Sequence, residues 1–408
     1  MPPATCIPVS TRLPIKRCVT EAVAGIYIHV PFCKGRCIYC DFYSTTEGVE
    51  WKSRYVSALL QEIRQRKDEL SLARVHSIYI GGGTPSQLPP EMLAAILQEV
   101  FALYSVDSDA EVTIEANPDD VTAEWLSVMR DTPANRLSMG VQTFDDALLT
   151  LLRRRHTSEQ AVRAVERAQA YGFDNVSIDL IYGLPGETME QWQSDVQKGL
   201  SLGIQHLSAY ALSYEEGTPL ARMLERGEVR EADEELSLRM YEHLMDATRE
   251  AGFLHYEISN FSLPGKFSRH NSSYWQGVPY LGVGPGAHSY DGVRTRRWNL
   301  SDLKAYVTAG EGLPPYQQEI LTDDELYDEM VMTRLRTQDG LSLDLLQDQS
   351  RTYFLAQAQS HLHAGRMVQE GHVVRLTRKG IFTSNDIISD LMRGCDLCRR
   401  AHLQKYVL

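Results

Sequence analysis

The stretch that decides the reading is Gly25-Ile-Tyr-Ile-His-Val30-Pro-Phe-Cys33-Lys-Gly-Arg-Cys37-Ile-Tyr-Cys40-Asp-Phe-Tyr43. A short apolar strand, Ile26–Val30, runs into three cysteines spaced C-x3-C-x2-C. That spacing puts three thiolates on one tight loop, and thiolates are the ligands of iron–sulfur clusters. A [4Fe–4S] cluster has four irons, so Cys33, Cys37 and Cys40 leave one iron open. An open iron binds a small molecule through an amine and a carboxylate. Zinc asks for a fourth Cys or His nearby, and this loop supplies none.

Working outward, short apolar runs alternate with longer amphipathic stretches. The spacing predicts strands over Ile26–Val30, Ser77–Gly81, Glu111–Glu115, Arg136–Val141, Val176–Ile181 and His206–Leu212. Between them, helices are expected over Trp51–Glu69, Pro90–Tyr104, Ser158–Tyr171 and Met189–Leu202, with a further helix over Asp233–Ala251. Strands alternating with helices imply βαβ units and a parallel sheet. Six units make an open partial barrel rather than the closed eight-stranded one. Chemistry gathers at the C-terminal strand ends of such barrels. There lie the cysteine loop, Gly81-Gly82-Gly83-Thr84-Pro85, Glu115-Ala116-Asn117-Pro118, Gln142 and Asp179. Glycines at such an end let a ligand approach the main chain closely.

The cysteine loop followed by Gly-Gly-Gly-Thr-Pro resembles the radical S-adenosylmethionine (SAM) superfamily, whose (β/α)6 barrel agrees with the strand pattern. In that superfamily the reduced cluster splits SAM into methionine and a 5′-deoxyadenosyl radical. The stretch from about residue 25 to 300 is similar to the coproporphyrinogen oxidase-like branch. Residues matching the branch's SAM pattern are Tyr27, Gly82, Gly83, Thr84, Glu115, Gln142, Arg154 and Asp179. The resemblance implies that the triglycine receives the SAM amino group. Glu115 and Asp179 suit ribose hydroxyls or the amine, and Arg154 suits the methionine carboxylate. Taken singly, Arg153, Arg154 and Arg155 read as a solvated basic turn; the spaced set outweighs that reading.

A second run, Arg269-His270-Asn271-Ser272-Ser273-Tyr274-Trp275, sets a histidine among aromatic residues. Such a His suits either an axial haem ligand or a hydrogen-bonded core position. The run resembles a motif of the haem chaperones of this branch, which makes His270 the candidate haem contact. His288 is a second candidate, and Arg294, Arg296 and Arg297 suit haem propionates or a solvated face.

Two functions follow from the resemblance. One is a chaperone that binds haem and passes it to haem-requiring acceptor proteins, with a SAM-coordinated cluster. The other is oxygen-independent coproporphyrinogen III oxidase. The oxidases carry a further Cys where this chain has Phe42, and a longer N-terminal segment, whereas 24 residues precede Gly25 here. Both differences, with the His270 run, favour the chaperone. The resemblance also raises a homodimer and peripheral membrane association through the acceptors.

Composition fits this reading. Of 408 residues, 43% are hydrophobic and 23% charged, which indicates soluble globular domains. A net charge of -13 argues against a nucleic-acid binder, and so against a radical SAM enzyme acting on RNA. Seven cysteines, three of them on one loop, fit a reducing cytoplasm better than a disulfide framework. No apolar run approaches the roughly 20 residues that span a bilayer. The expected divisions are an N-terminal extension over 1–22 with free Cys6 and Cys18, and a barrel over 23–252. A connecting segment follows over 253–300, a small α/β winged-helix-like cap over 301–394, and a tail over 395–408 with free Cys395 and Cys398. The extension is basic and lacks an apolar core, so it reads as an irregular N-terminal extension rather than a secretory signal or an organelle-type presequence.

Overall fold

The computed structural model describes residues 23–394. The extension over 1–22 and the tail over 395–408, with the four cysteines they hold, lie outside the described residues. Six parallel strands follow one another in sheet order: β1 (Val23–Val30), β2 (Arg74–Gly82), β3 (Val106–Ala116), β4 (Arg136–Gln142), β5 (Val176–Tyr182) and β6 (His206–Ala211). Helices Val49–Gln65, Pro90–Leu103, Ala123–Met129, Ser158–Ala170 and Met189–Ser201 connect them. Thr157 and Thr188 start two of these helices with full capping boxes, each satisfying two otherwise orphan backbone donors.

The strands alternate, and the alternation separates two kinds of chemistry. Ile26, Ile28, Ile78, Ile80, Val112, Ile114, Leu137, Met139, Ile178 and Leu180 join one continuous apolar core. The other face of the same strands is polar. Register pairs Tyr27 with Tyr79, Thr113 with Arg136, Glu115 with Ser138, Gly140 with Asp179, and Ser177 with His206. Period-2 geometry puts all of these on one inner face. Parallel strands covered on both sides normally read as unbroken apolar runs. This polar face is therefore the place where a ligand is expected.

The stretch 253–300 contributes strands to this same sheet rather than connecting two units. After the helix Glu234–Glu250, β7 (Leu254–Glu257) and β8 (Asn260–Ser262) extend the sheet, β8 pairing antiparallel with β6 and β7 antiparallel with β8. β9 (Tyr280–Val283) crosses to the opposite edge and pairs parallel with β1. β10 (His288–Tyr290), β11 (Thr295–Asn299) and β12 (Tyr316–Ile320) continue outward antiparallel, giving 12 strands. A buried network anchors this extension to the first helix. Arg66 donates to Glu62 at 3.0 Å, to the Gly282 carbonyl at 2.7 Å and to Ser289 at 3.0 Å. Tyr306 donates to Glu62 at 2.6 Å.

Past Ile320 a second apolar cluster forms around Tyr327, Val331, Phe354, Val374 and Ile387. Its helices Asp323–Leu335, Asp348–His363 and Ser384–Leu391 surround a sheet of β13 (Leu341–Ser342), β14 (Met367–Glu370) and β15 (Val373–Leu376). β14 and β15 form the hairpin expected over Met367–Thr377. Arg378 fastens this part to the helix Glu234–Glu250 through Asp246 at 2.6 Å. Among the described residues no helix is long and apolar enough to cross a membrane.

Candidate cluster and SAM site

The cysteine loop leaves the end of β1 and is tied down on both sides. The Cys33 amide donates to the Thr45 carbonyl at 2.8 Å, and Thr45 returns an amide to the Pro31 carbonyl at 2.6 Å. All three cysteines are free and half-buried. Two of them touch different side chains: Cys33 Sγ lies 3.5 Å from Thr84 Oγ1, and Cys37 Sγ accepts from Arg154 Nη1 at 3.3 Å. Burial pushes the Cys40 thiol up to about 12, with Cys37, Cys33 and Asp41 adding to the rise. Iron ligation must therefore displace that proton, which makes metal binding release protons. Among the described residues no three His, Cys, Asp or Glu side chains converge on a single ion. Cluster ligation has no such requirement, because each thiolate binds a separate iron.

Beside the loop, the end of β2 is bare backbone. Gly82 sits at φ +108, and a Cβ there would come within 2.6 Å of the His29 ring. At Gly83 a Cβ would meet the Phe32 carbonyl at 2.9 Å. At both positions the end of β1 already occupies the space a side chain would need, so only glycine lets β2 pack this closely against the strand that carries the cysteine loop. The Gly82 amide donates to Glu115 Oε2 at 3.1 Å. The other oxygen, Oε1, accepts from the Tyr79 hydroxyl at 2.7 Å. Burial raises Glu115 to about 7, with Tyr79 and the Gly82 amide opposing the rise and Asp179 adding to it. Asp179 lies at about 6, again raised by burial, with Ser208, Arg136 and Ser138 opposing.

Arg154 closes the site from the turn that precedes the helix Ser158–Ala170. Its Nη2 donates to Asn117 Oδ1 and to the Gly140 carbonyl. Its Nε is buried without a partner, a donor left over for a ligand. Two non-glycine residues among those described have positive φ, Gln142 at 71° and Arg153 at 57°. Both flank this site, where backbone strain concentrates in functional proteins. At Gln142 a register shift in the β4–β5 pairing accompanies the turn. Tyr27 completes the inner wall; its hydroxyl bonds His29 Nδ1 at 3.0 Å.

Of the eight residues matched to the SAM pattern, Gly82, Gly83, Thr84, Glu115, Gln142 and Arg154 lie at or just past strand ends, and Tyr27 and Asp179 lie within β1 and β5 on the inner face. His270 is in neither group. It lies in the helix Arg269–Trp275, beneath the N-terminal ends of β1 and β2. Glu111 accepts the Arg269 and His270 amides at 3.0 and 3.1 Å and so fixes that helix terminus. The ring is 1% exposed. Nδ1 bonds Ser77 at 3.0 Å and Nε2 bonds Tyr274 at 2.9 Å, so both ring nitrogens are engaged. Burial lowers its pKa to about 3. A haem–iron bond at His270 would require Tyr274 to withdraw and the helix to open. His288, by contrast, is exposed and stacks on Trp298, ring centroids 5.6 Å apart. The arginines read as propionate partners are paired within the chain: Arg294 with Asp323, Arg296 with Glu319 and Glu329, and Arg297 with Glu69.

Two inner-face residues were not singled out by sequence. Tyr79 holds Glu115, and Arg136 is 2% exposed and donates to Thr113 Oγ1 at 3.5 Å. Their signal was the polar alternation inside apolar parallel strands.

The radical SAM superfamily model matches residues 27–198, and the HemN C-terminal domain model matches residues 321–383. The former family implies SAM and a [4Fe–4S] cluster. The chain is similar to the heme chaperone HemW of Mycobacterium tuberculosis (strain ATCC 25618 / H37Rv), 38% identical over 90% of this chain and 94% of that one. It is similar to the heme chaperone HemW of Lactococcus lactis subsp. lactis (strain IL1403), 34% identical over 90% of this chain and 96% of that one. In fold it is similar to coproporphyrinogen III oxidase (HemN) from Escherichia coli, with a TM-score of 0.80 and 22% identity over 91% of each chain.

Proposed function

The chain belongs to the HemW family, with a radical SAM barrel and a HemN-type C-terminal domain, and from that premise we propose that it binds haem and delivers it to haem-requiring acceptor proteins in the cytoplasm. In this reading Cys33, Cys37 and Cys40 hold one [4Fe–4S] cluster, whose open iron binds SAM. Such a cluster supplies redox chemistry and a SAM anchor when bound. The residues present fit it: three free thiols on a pinned loop, bare glycine backbone beside them, and an Arg154 Nε with no partner. Gly82, Gly83 and Thr84 line the amine side, Arg154 meets the carboxylate, and Glu115 and Asp179 accept ribose hydroxyls. Tyr27 and Gln142 enclose the remainder.

One observation carries the haem half. β9 runs parallel to β1, so the turn after Val283 lies at the cysteine end of the sheet. His288 opens β10 directly after that turn. An exposed imidazole stacked on an indole, at the same end as the cluster loop, suits iron ligation beside a flat macrocycle. In this reading His288 is preferred to His270 as the haem contact. The reading is tested by titrating hemin into anaerobically reconstituted protein and then adding haem-free apomyoglobin. A Soret band that forms on the protein and then shifts to that of myoglobin supports it. Absence of any Soret band overturns it.

A further inference from the structure

We propose that Tyr79 is a positioning residue for the SAM site: its hydroxyl orients Glu115, and His270 holds the Tyr79 ring in place from below. The proposal rests on the assignment of Glu115 to SAM made above. It gives the His270 run a task at the SAM site, from which its helix is separated by the width of a tyrosine ring.

The connection can be followed bond by bond. Ser77 and Tyr79 are two apart on β2 and face the same way. Ser77 Oγ fixes His270 Nδ1 at 3.0 Å, and Tyr274 fixes Nε2 at 2.9 Å. The imidazole so held stacks on the Tyr79 ring, centroids 5.2 Å apart with 25° between planes. Tyr27 stacks on both rings at 6.3 Å. The Tyr79 hydroxyl then reaches diagonally to β3, where Glu115 Oε1 accepts it at 2.7 Å. With Oε2 on the Gly82 amide, each carboxylate oxygen has one fixed donor and a lone pair left for a ligand hydroxyl.

The hydroxyl also bears on charge. The groups facing Glu115 are Tyr27 from β1, Tyr79 from β2, Arg136 from β4, Asp179 from β5 and Tyr210 from β6. Of these, Tyr79 donates a hydrogen bond that favours the carboxylate, and Arg136 favours it by charge. A buried carboxyl stripped of that donor stays protonated to higher pH. A protonated Glu115 has one acceptor fewer for a ribose.

The test uses anaerobically reconstituted full-length protein and SAM itself, titrated from pH 6 to pH 9. Tyr79→Phe keeps the ring and the stack and removes only the hydroxyl. We expect SAM affinity near neutral pH to fall on the order of tenfold, the worth of a hydrogen bond to a charged group. We expect the rise of affinity with pH to shift to higher pH, with iron content unchanged. His270→Ala should weaken SAM binding similarly, and the double variant should be no worse than either alone, because both act through one hydroxyl. If Tyr79→Phe binds SAM like the parent with the same pH profile, or if the two losses add, the relay is overturned. The two readings fail differently. A parent protein that does not bind SAM, or a Glu115→Ala variant that binds it undiminished, overturns the assignment of Glu115 itself and the relay with it.

Discussion

Arg154 donates through Nη1 to Sγ of Cys37 at 3.3 Å, joining residues 117 apart in the chain. The same guanidinium reaches Asn117 and the Gly140 carbonyl through Nη2. One planar fork therefore holds the cysteine loop, the end of β3 and the end of β4 together. A lysine ammonium cannot meet three such acceptors from one fixed plane. Arg154→Lys should keep the cluster and lower SAM affinity on the order of tenfold, the loss of one charge-assisted pair. Iron analysis and SAM titration of the same preparation check this. Undiminished SAM affinity would remove Arg154 from the carboxylate site.

The cluster itself is tested at Cys40, whose thiol burial pushes up to about 12. Reconstituted protein should hold about four iron atoms per chain. Cys40→Ser should lose most of that iron together with SAM binding. Retention of both at parental levels would show that the loop does not ligate the cluster.

The six parallel strands and the site at their ends were legible because β-branched runs, helix caps and glycine punctuation agree there. Thr157 with Gln160 and Thr188 with Gln191 mark helix starts within a residue of the expected positions. The stretch 253–300 was not legible. Its strands β7 to β11 are three to five residues long and interrupted by Gly, Pro and Trp, so no period emerges. They are set by pairing with β6 and β1, a long-range fact that local sequence does not carry. Tyr79 and Arg136 were passed over for a different reason. Each sits in a strand that reads as apolar, and only the alternation Ser77, Tyr79 against Ile78, Ile80 reveals a polar inner face. The role of His270 turned on burial, which a histidine flanked by Asn, Tyr and Trp does not disclose.

The chain is expected not to convert coproporphyrinogen III to protoporphyrinogen IX. Phe42 stands where the oxidases carry a further cysteine, and it is 43% exposed beside the loop. An anaerobic product assay with reduced cluster and SAM decides the matter. Vinyl product formed over many turnovers would assign the chain to the oxidases.

The two histidines separate haem binding from stability. His288→Ala should shift or abolish the Soret band and cost less stability than His270→Ala, because its ring is exposed where that of His270 is buried. His270→Ala should do the reverse. It removes a buried ring with two hydrogen bonds and two stacked neighbours, a loss of about 2–4 kcal/mol. The pH dependence carries its own sign. Burial, with His76 and Arg136, holds His270 at about 3, below the unfolded value near 6.5. The unfolded chain therefore binds the extra proton, so the stabilisation is complete above pH 6.5 and declines as pH falls toward 3. The stability gap between parent and His270→Ala should accordingly narrow in acid, by about 1.4 kcal/mol for each pH unit below 6.5. Chemical denaturation at pH 7.5 and pH 5.5 measures it. A gap that widens in acid would mean that the imidazole is charged in the folded protein. A Soret band lost in His270→Ala but kept in His288→Ala would return the iron contact to the helix Arg269–Trp275.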